Sequence, residues 1–336
     1  MSRPALRVLQ PGLCTTVQDR GRFGHQRQGV PVCGVLDPRA LTLANLAVGN
    51  PPDQAALEIL VAGPTLEVAA DGVRVALAGM ATLTVNGAAM VPGRSLTLRR
   101  GDILAIGASQ GRAALLAVAG GFDLPAVLGS RSTCLKSGFG GLHGRALIAG
   151  DVLPLVAATA PPGPDRACPP LPVAGGPMRV MLGPQDDHFS TAAIATFLQQ
   201  EWRAARDSDR MGTRLEGTPL PHRSGADIVS DGIVTGSIQV PGSGQPIVLL
   251  ADHQTTGGYP KIATVITADL ARFAQVRPGD PLRFAAVTPE QALQARAAQR
   301  DEIAALCRRV VPVAGLDTES LLAENLISGV VADPPA

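Results

Sequence analysis

The sequence predicts a mainly β protein made of two β domains with a few short helices. Three observations carry this. Short apolar or alternating runs recur through both halves of the chain. The 38 glycines and 29 prolines among 336 residues supply turns between such runs. Helical spacing of apolar residues is confined to four segments. The length suits two domains at roughly 150 residues each.

In chain order, Asp37 is placed to cap a helix with Pro38 at its first position and Gly49 as the stop. Leu57-Glu58-Ile59-Leu60-Val61 reads as a strand ended by Gly63-Pro64, and Val73-Arg74-Val75-Ala76-Leu77 alternates. Asn86-Gly87 lies between two β-like runs and predicts a two-residue hairpin, because both positions tolerate positive φ. Ser95-Leu96-Thr97-Leu98 alternates again. Seven prolines between Ala157 and Pro177 mark an extended connection.

In the second half, Ile194, Phe197, Leu198 and Trp202 recur at helical spacing, predicting a helix over about residues 190–206. Ile247-Val248-Leu249-Leu250 and Ile262-Ala263-Thr264-Val265-Ile266 read as buried strands. Thr267 is a candidate cap for a short helix, and Thr288 with Gln291 forms a capping box for a helix reaching about Cys307. The expected organisation is residues 1–157 as an N-terminal β domain, 158–177 as a proline-rich linker, 178–287 as a C-terminal β domain, and 288–336 as a helix and tail. Short echoes between the halves, such as Asp19-Arg20-Gly21 and Asp209-Arg210-Met211-Gly212, suit a duplicated β domain.

The formal net charge of +1 gives no electrostatic case for nucleic acid, and no polybasic run suggests a membrane surface. No stretch reaches the roughly 18 apolar residues of a membrane helix. Five widely spaced cysteines without a Cys-x-x-Cys support neither a zinc site nor a disulfide framework, so a reduced, cytoplasmic setting is expected. No metal site is expected. Asp186-Asp187-His188 precedes a helix and reads as capping, since adjacent residues rarely aim at one ion.

Of 29 basic residues only Lys136 and Lys261 are lysine, and the single tyrosine, Tyr259, lies two positions from Lys261. This draws attention to the run from Asp252 to Lys261. Gly257-Gly258 lets backbone approach a ligand and present amide donors. Gln254, Thr255 and Thr256 offer neutral hydrogen-bonding groups, Lys261 a cation for an anion, and Asp252, His253 and Tyr259 candidate bases. The alternative is a Gly-Gly hairpin with solvated polar residues. Gln239 stands in the preceding polar segment. Arg131 and Lys136 precede four glycines (138, 140, 141, 144) that suit either an anion cradle or an irregular turn, and no Walker P-loop is present. The Asp19-Arg20 and Asp209-Arg210 pairs read first as structural ion pairs fixing loops, with Asp19 and Arg210 also candidate substrate contacts.

At these segments the sequence resembles the biotin-dependent carboxyltransferase family, also described as allophanate hydrolase subunit 2 or urea amidolyase-related. The markers are Thr16-Val17-Gln18-Asp19-Arg20-Gly21-Arg22, Gly29-Val30-Pro31, Asp37-Pro38, Ala44-Asn45, Val48-Gly49-Asn50-Pro51 and Ala56-Leu57-Glu58. They continue with residues 128–133, Gly138-Phe139-Gly140-Gly141, Ser208-Asp209-Arg210-Met211-Gly212 and residues 254–260. The tail, including residues 321–331, lies outside them.

The resemblance implies cyclophilin-like barrels. It also implies a component of an ATP-dependent complex, 5-oxoprolinase, that opens the 5-oxoproline lactam to glutamate. Two partners would work with it there. One is related to allophanate hydrolase subunit 1, and the other belongs to the lactam-utilisation family. ATP would act through the complex, and biotin is not expected on this chain, because neither lysine has the usual flanking methionines. Two other readings remain: a carboxyltransferase acting on urea or a similar amide with carboxybiotin supplied in trans, and a non-catalytic regulator of a kinase inhibitor. Lys261→Ala and Tyr259→Phe are expected to lower turnover without unfolding, neither residue being expected in a barrel core.

Overall fold

The structure, a computed structural model, describes residues 3–172 and 175–313; the tail segment at 321–331 lies outside the described residues. Strands β1 (Ala5–Gln10), β2 (Cys14–Gln18), β3 (Ala56–Ala62), β4 (Thr65–Ala69), β5 (Gly72–Ala78), β6 (Ala81–Val85), β7 (Ala88–Ala89), β8 (Leu96–Arg99), β9 (Ile103–Val118) and β10 (Val152–Pro154) build one sheet. Its main path is β10-β1-β4-β9-β3-β2. The long β9 also pairs with β5 and β6, so one strand ties the whole sheet together. The hairpin β6–β7 turns at Asn86 and Gly87, whose φ of 51° and 82° are the positive values expected there.

The second half contributes β11 (Met178–Leu182), β12 (Trp202–Ala204), β13 (Gly212–Glu216), β14 (Asp231–Gly232), β15 (Ser237–Gln239), β16 (Ile247–Leu249), β17 (Thr256–Gly257), β18 (Lys261–Val265), β19 (Pro281–Leu282) and β20 (Phe284–Ala286). Eight of them form the second sheet, in the order β19-β12-β13-β16-β15-β18-β11-β20. The remaining two, β14 and β17, pair with each other apart from it. One sheet is a half-barrel and the other a nearly closed barrel, with four α-helices among the described residues.

Helix α1 (Pro38–Val48) follows its cap closely: the Asp37 carboxylate accepts from the amides of Arg39 and Ala40, and Gly49 ends it in the left-handed region. Helix α2 corrects the reading of residues 190–206. It spans Thr191–Gln199, and Trp202 begins β12. The apolar spacing continues through Trp202, but the indole is fully buried between strands and donates from Nε1 to the Phe197 carbonyl at 3.0 Å. Tertiary packing overrides the helical period there. Ser190, rather than the acidic pair before it, caps α2. Helix α3 (Thr267–Leu270) starts at Thr267 without a side-chain cap. Helix α4 (Pro289–Arg308) carries the full capping box of Thr288 and Gln291.

The proline-rich segment is packed on the first sheet. The Arg166 carbonyl accepts from Ser95 N, and buried Cys168 donates its amide to the Gly93 carbonyl. The largest core cluster is shared between the sheets: Leu60 and Ala113 of the first, with Leu36 from the loop before α1, pack with Trp202, Ile238, Val248 and Phe284 of the second. No helix among the described residues is long and apolar enough to cross a membrane.

Candidate active site at the seam and the glycine arm

The seam is closed by a buried charge cluster. Glu58 stands in β3 among apolar residues and is fully buried. One carboxylate oxygen accepts from Leu36 N at 2.6 Å and the other pairs with Arg210 of the second sheet. Arg210 is 3% exposed and donates from Nε and Nη2 to Asp252, both at 3.0 Å. Its Nη2 also reaches the Gly34 carbonyl at 2.5 Å. Two carboxylates around one guanidinium leave a net negative cluster that only backbone donors offset, so its members are tightly fixed.

Neither adjacent Asp-Arg pair is an ion pair, which corrects that expectation. Arg20 pairs with Asp53 at 2.6 Å, and Asp209 accepts from the amides of Met211 and Gly212. Asp19 accepts from the Ser130 and Ser132 hydroxyls and the Arg131 and Gly21 amides, at 2.6–2.8 Å. It organises the 129–133 turn. Arg131 donates to the Leu124 carbonyl, and Lys136 is exposed on the loop beyond.

Three of the four glycine amides of this loop are engaged by nearby carbonyls: Gly138 on Cys134, Gly141 on Arg131 and Gly144 on Gly140. The four φ values are all positive, which is why glycine stands there.

The second cluster is the arm carrying Thr255, Thr256, Gly257, Gly258 and Tyr259. Strand β17 pairs with β14 through Asp231 and Gly257. Lys261 is not on this loop but in β18, and at 2% exposure it is buried, contrary to the sequence expectation. Its Nζ donates to Asp231 at 3.0 Å, and Gln185 donates to the same oxygen at 3.2 Å. Asp231 is thereby held below the usual carboxylate range, first by the Lys261 hydrogen bond. Tyr259 is half exposed and stands outside any core. Buried Gln239 lies under Gly257, where a Cβ would approach its Nε2 to 2.5 Å. Only glycine lets that amide sit so close.

His253 is buried between the clusters. Its Nδ1 faces the Gln254 carbonyl at 2.5 Å and its Nε2 the Thr235 hydroxyl at 3.2 Å, so Nδ1 carries the proton. Burial pushes the imidazole pKa down. The Gln254 side-chain carbonyl has no partner among the described residues. The structure thus joins Arg210 to Asp252, Asp19 to Arg131, and Gln239 to the glycine arm, while Lys136 stands apart. No group of acidic, histidine or cysteine residues among the described residues suits a metal ion.

Two participants were not proposed as site residues from the sequence: Glu58, quoted there only within a strand and a family marker, and Asp231. A charge inside the apolar run Leu57–Val61 was the available signal for Glu58. Nothing local marks Asp231, whose role depends on a lysine 30 positions away.

Residues 28–286 match the family model for the carboxyltransferase domain, subdomain A and B. The C subunit of 5-oxoprolinase from Escherichia coli is 39% identical over 88% of this chain and 95% of its own length. The solved Kluyveromyces lactis urea amidolyase aligns with a TM-score of 0.83 at 31% identity, over 95% of this chain and 21% of that one. The solved TTHA0988 aligns with a TM-score of 0.76 at 37% identity, over 84% of this chain. This chain spans about half of TTHA0988, 56% of its length. By the extent of the family match and the near full-length bacterial relative, the chain belongs to the carboxyltransferase domain family, subdomains A and B.

Proposed function

We propose that the chain is the C subunit of an ATP-dependent 5-oxoprolinase complex that opens the 5-oxoproline lactam to glutamate in the cytoplasm. The observation that supports this most is the match to the E. coli protein over 95% of its length, against 21% of the urea amidolyase chain. The partners in this reading are one protein related to allophanate hydrolase subunit 1 and one of the lactam-utilisation family. ATP acts through the complex in this reading, in keeping with the lack of a Walker P-loop in this sequence.

The arm is the substrate-facing element. Lactam opening places negative charge on the ring carbonyl oxygen, and donors set in advance at that position lower the barrier. Thr255, Thr256, the Gly257-Gly258 backbone and the Gln239 amide are the donors this chain offers. Lys261 is a positioning residue: it holds Asp231, and Asp231 holds Gly257. Asp252 is engaged by Arg210 and His253 is held neutral, so Tyr259 is the exposed proton-transfer candidate on the arm.

A carboxyltransferase acting on urea or a similar amide is the second reading, favoured by the family description and the urea amidolyase fold match. The two separate in one experiment. The chain is co-expressed with its candidate partners, and 5-oxoproline and urea are offered with ATP. Turnover of 5-oxoproline without any streptavidin-reactive partner supports the first reading; urea-dependent turnover with a biotinylated partner supports the second.

A further inference from the structure

Arg22 is a buried cation without a counter-ion. The residue is 1% exposed and sits just past β2, where its amide donates to the Val32 carbonyl at 2.8 Å. Its Nη2 donates to the Ser132 carbonyl at 2.5 Å, and its Nε reaches the Val127 carbonyl at the long distance of 3.5 Å. The Phe139 ring covers the guanidinium at 4.7 Å. Nη1 is buried and has no partner among the described residues. No carboxylate among them lies within ion-pair distance of Arg22; the nearest in sequence, Asp19, already accepts four hydrogen bonds.

The other buried arginines are treated differently. Arg39 is gripped by both oxygens of Asp37, and Arg210 by Asp252 and Glu58. Arg112 also lacks a carboxylate but leaves no orphan nitrogen, as it meets Thr213 and the Asp209 carbonyl. A buried charge left unpaired is strongly unfavourable, and a cation–π contact offsets only part of that. An arginine kept in this state is suited to an anion that arrives from outside, and a guanidinium reads carboxylate oxygens better than any other side chain.

We propose that Arg22 binds the carboxylate of the substrate, which makes the preferred ligand a small lactam or amide bearing one carboxylate. This rests on the lactam-opening reading above. The orphan Nη1 donates to one carboxylate oxygen, and the Phe139 ring with the glycine loop 138–144 covers the pair. The outer residues of that loop, Leu135 to Gly138, are exposed. Glycine at 140 is needed for this arrangement, because a Cβ there would come within 2.8 Å of Arg22 Nη2. Arg22 thus discriminates carboxylated lactams from neutral ones.

The test uses the assembled complex and two probes, 5-oxoproline and 2-pyrrolidinone, the same ring without a carboxylate. Binding is read by saturation-transfer NMR and, for 5-oxoproline, by KM. Wild type is expected to prefer 5-oxoproline. Arg22→Gln is expected to weaken 5-oxoproline by about 30-fold or more and leave 2-pyrrolidinone within about twofold, with Arg22→Lys recovering part of the loss. Equal weakening of both probes, or an unchanged preference, overturns the proposal. If Arg22→Gln does not fold, wild type alone decides through acetate, which must displace 5-oxoproline; failure to compete overturns the assignment. A wild-type complex that binds carboxylates in an Arg22-dependent way yet never turns over 5-oxoproline defeats the lactam-opening reading and leaves the carboxylate site standing.

Discussion

Glu58 of the first sheet and Arg210 of the second meet as a fully buried ion pair, and Asp252 clamps the same guanidinium from the other side. The seam between the sheets is therefore held by charge as well as by the shared apolar core. Both ends of the pair are out of water, so losing Arg210 strands two buried carboxylates, Glu58 and Asp252.

Arg210→Ala is accordingly expected to cost about 3–5 kcal/mol of unfolding free energy. Replacing Glu58 and Arg210 together by methionine should cost less than the sum of the two single changes, because Glu58 is then no longer stranded, although Asp252 still loses its guanidinium partner. Denaturant titration of the three variants measures this. Strict additivity would argue against the pairing.

Lys261 and Tyr259 should separate in stability while agreeing in activity. Lys261→Ala removes a buried ammonium and releases Asp231, at about 1–3 kcal/mol. Tyr259→Phe, at a half-exposed position, should stay within about 0.5 kcal/mol. Both should lower kcat of the complex, Tyr259→Phe by about 100-fold if its hydroxyl carries a proton. Thermal melts paired with turnover assays check both statements, and full activity in both variants would remove the arm from the site.

Gly140→Ala is a test of the loop over Arg22. The position has φ of 74°, and an added Cβ meets the Ser132 carbonyl as well as Arg22. A loss of about 1–3 kcal/mol is expected. Gly150→Ala also has positive φ but nothing nearby, so it should cost less. Comparing the two melts isolates the packing contribution.

His253 gives stability a pH dependence of known sign. Its folded pKa lies below the usual 6.5 because burial disfavours the imidazolium. As pH falls below 6.5, the unfolded chain takes up a proton that the folded chain refuses. This contribution to stability therefore declines from about pH 6.5 down to the folded pKa. The Tm of His253→Gln should fall less steeply than that of wild type between about pH 7 and pH 5. Parallel curves would show that His253 is not held neutral.

The elements with local signals were the legible ones. Asp37-Pro38 and Thr288-Gln291 announce helix starts because the capping atoms are neighbours in sequence, and Asn86-Gly87 announces its hairpin for the same reason. Trp202 misled because its apolar spacing continues that of α2, although the chain has already left the helix and begun a strand. The site was legible only as a set of polar segments. Which residues pair within it depends on separations such as 152 positions between Glu58 and Arg210, which no local pattern encodes. The same distance effect turned Asp19 from a ligand candidate into the organiser of the 129–133 turn, and moved Lys261 from a loop into a strand.

If this chain is an essential part of a 5-oxoproline-opening enzyme, ATP-dependent conversion of 5-oxoproline to glutamate must depend on it. The reconstituted complex is assayed complete and with each component omitted in turn. Turnover should disappear when this chain alone is left out and return when it is added back. Turnover that persists without it, or a fully assembled complex that forms no glutamate, would refute that role.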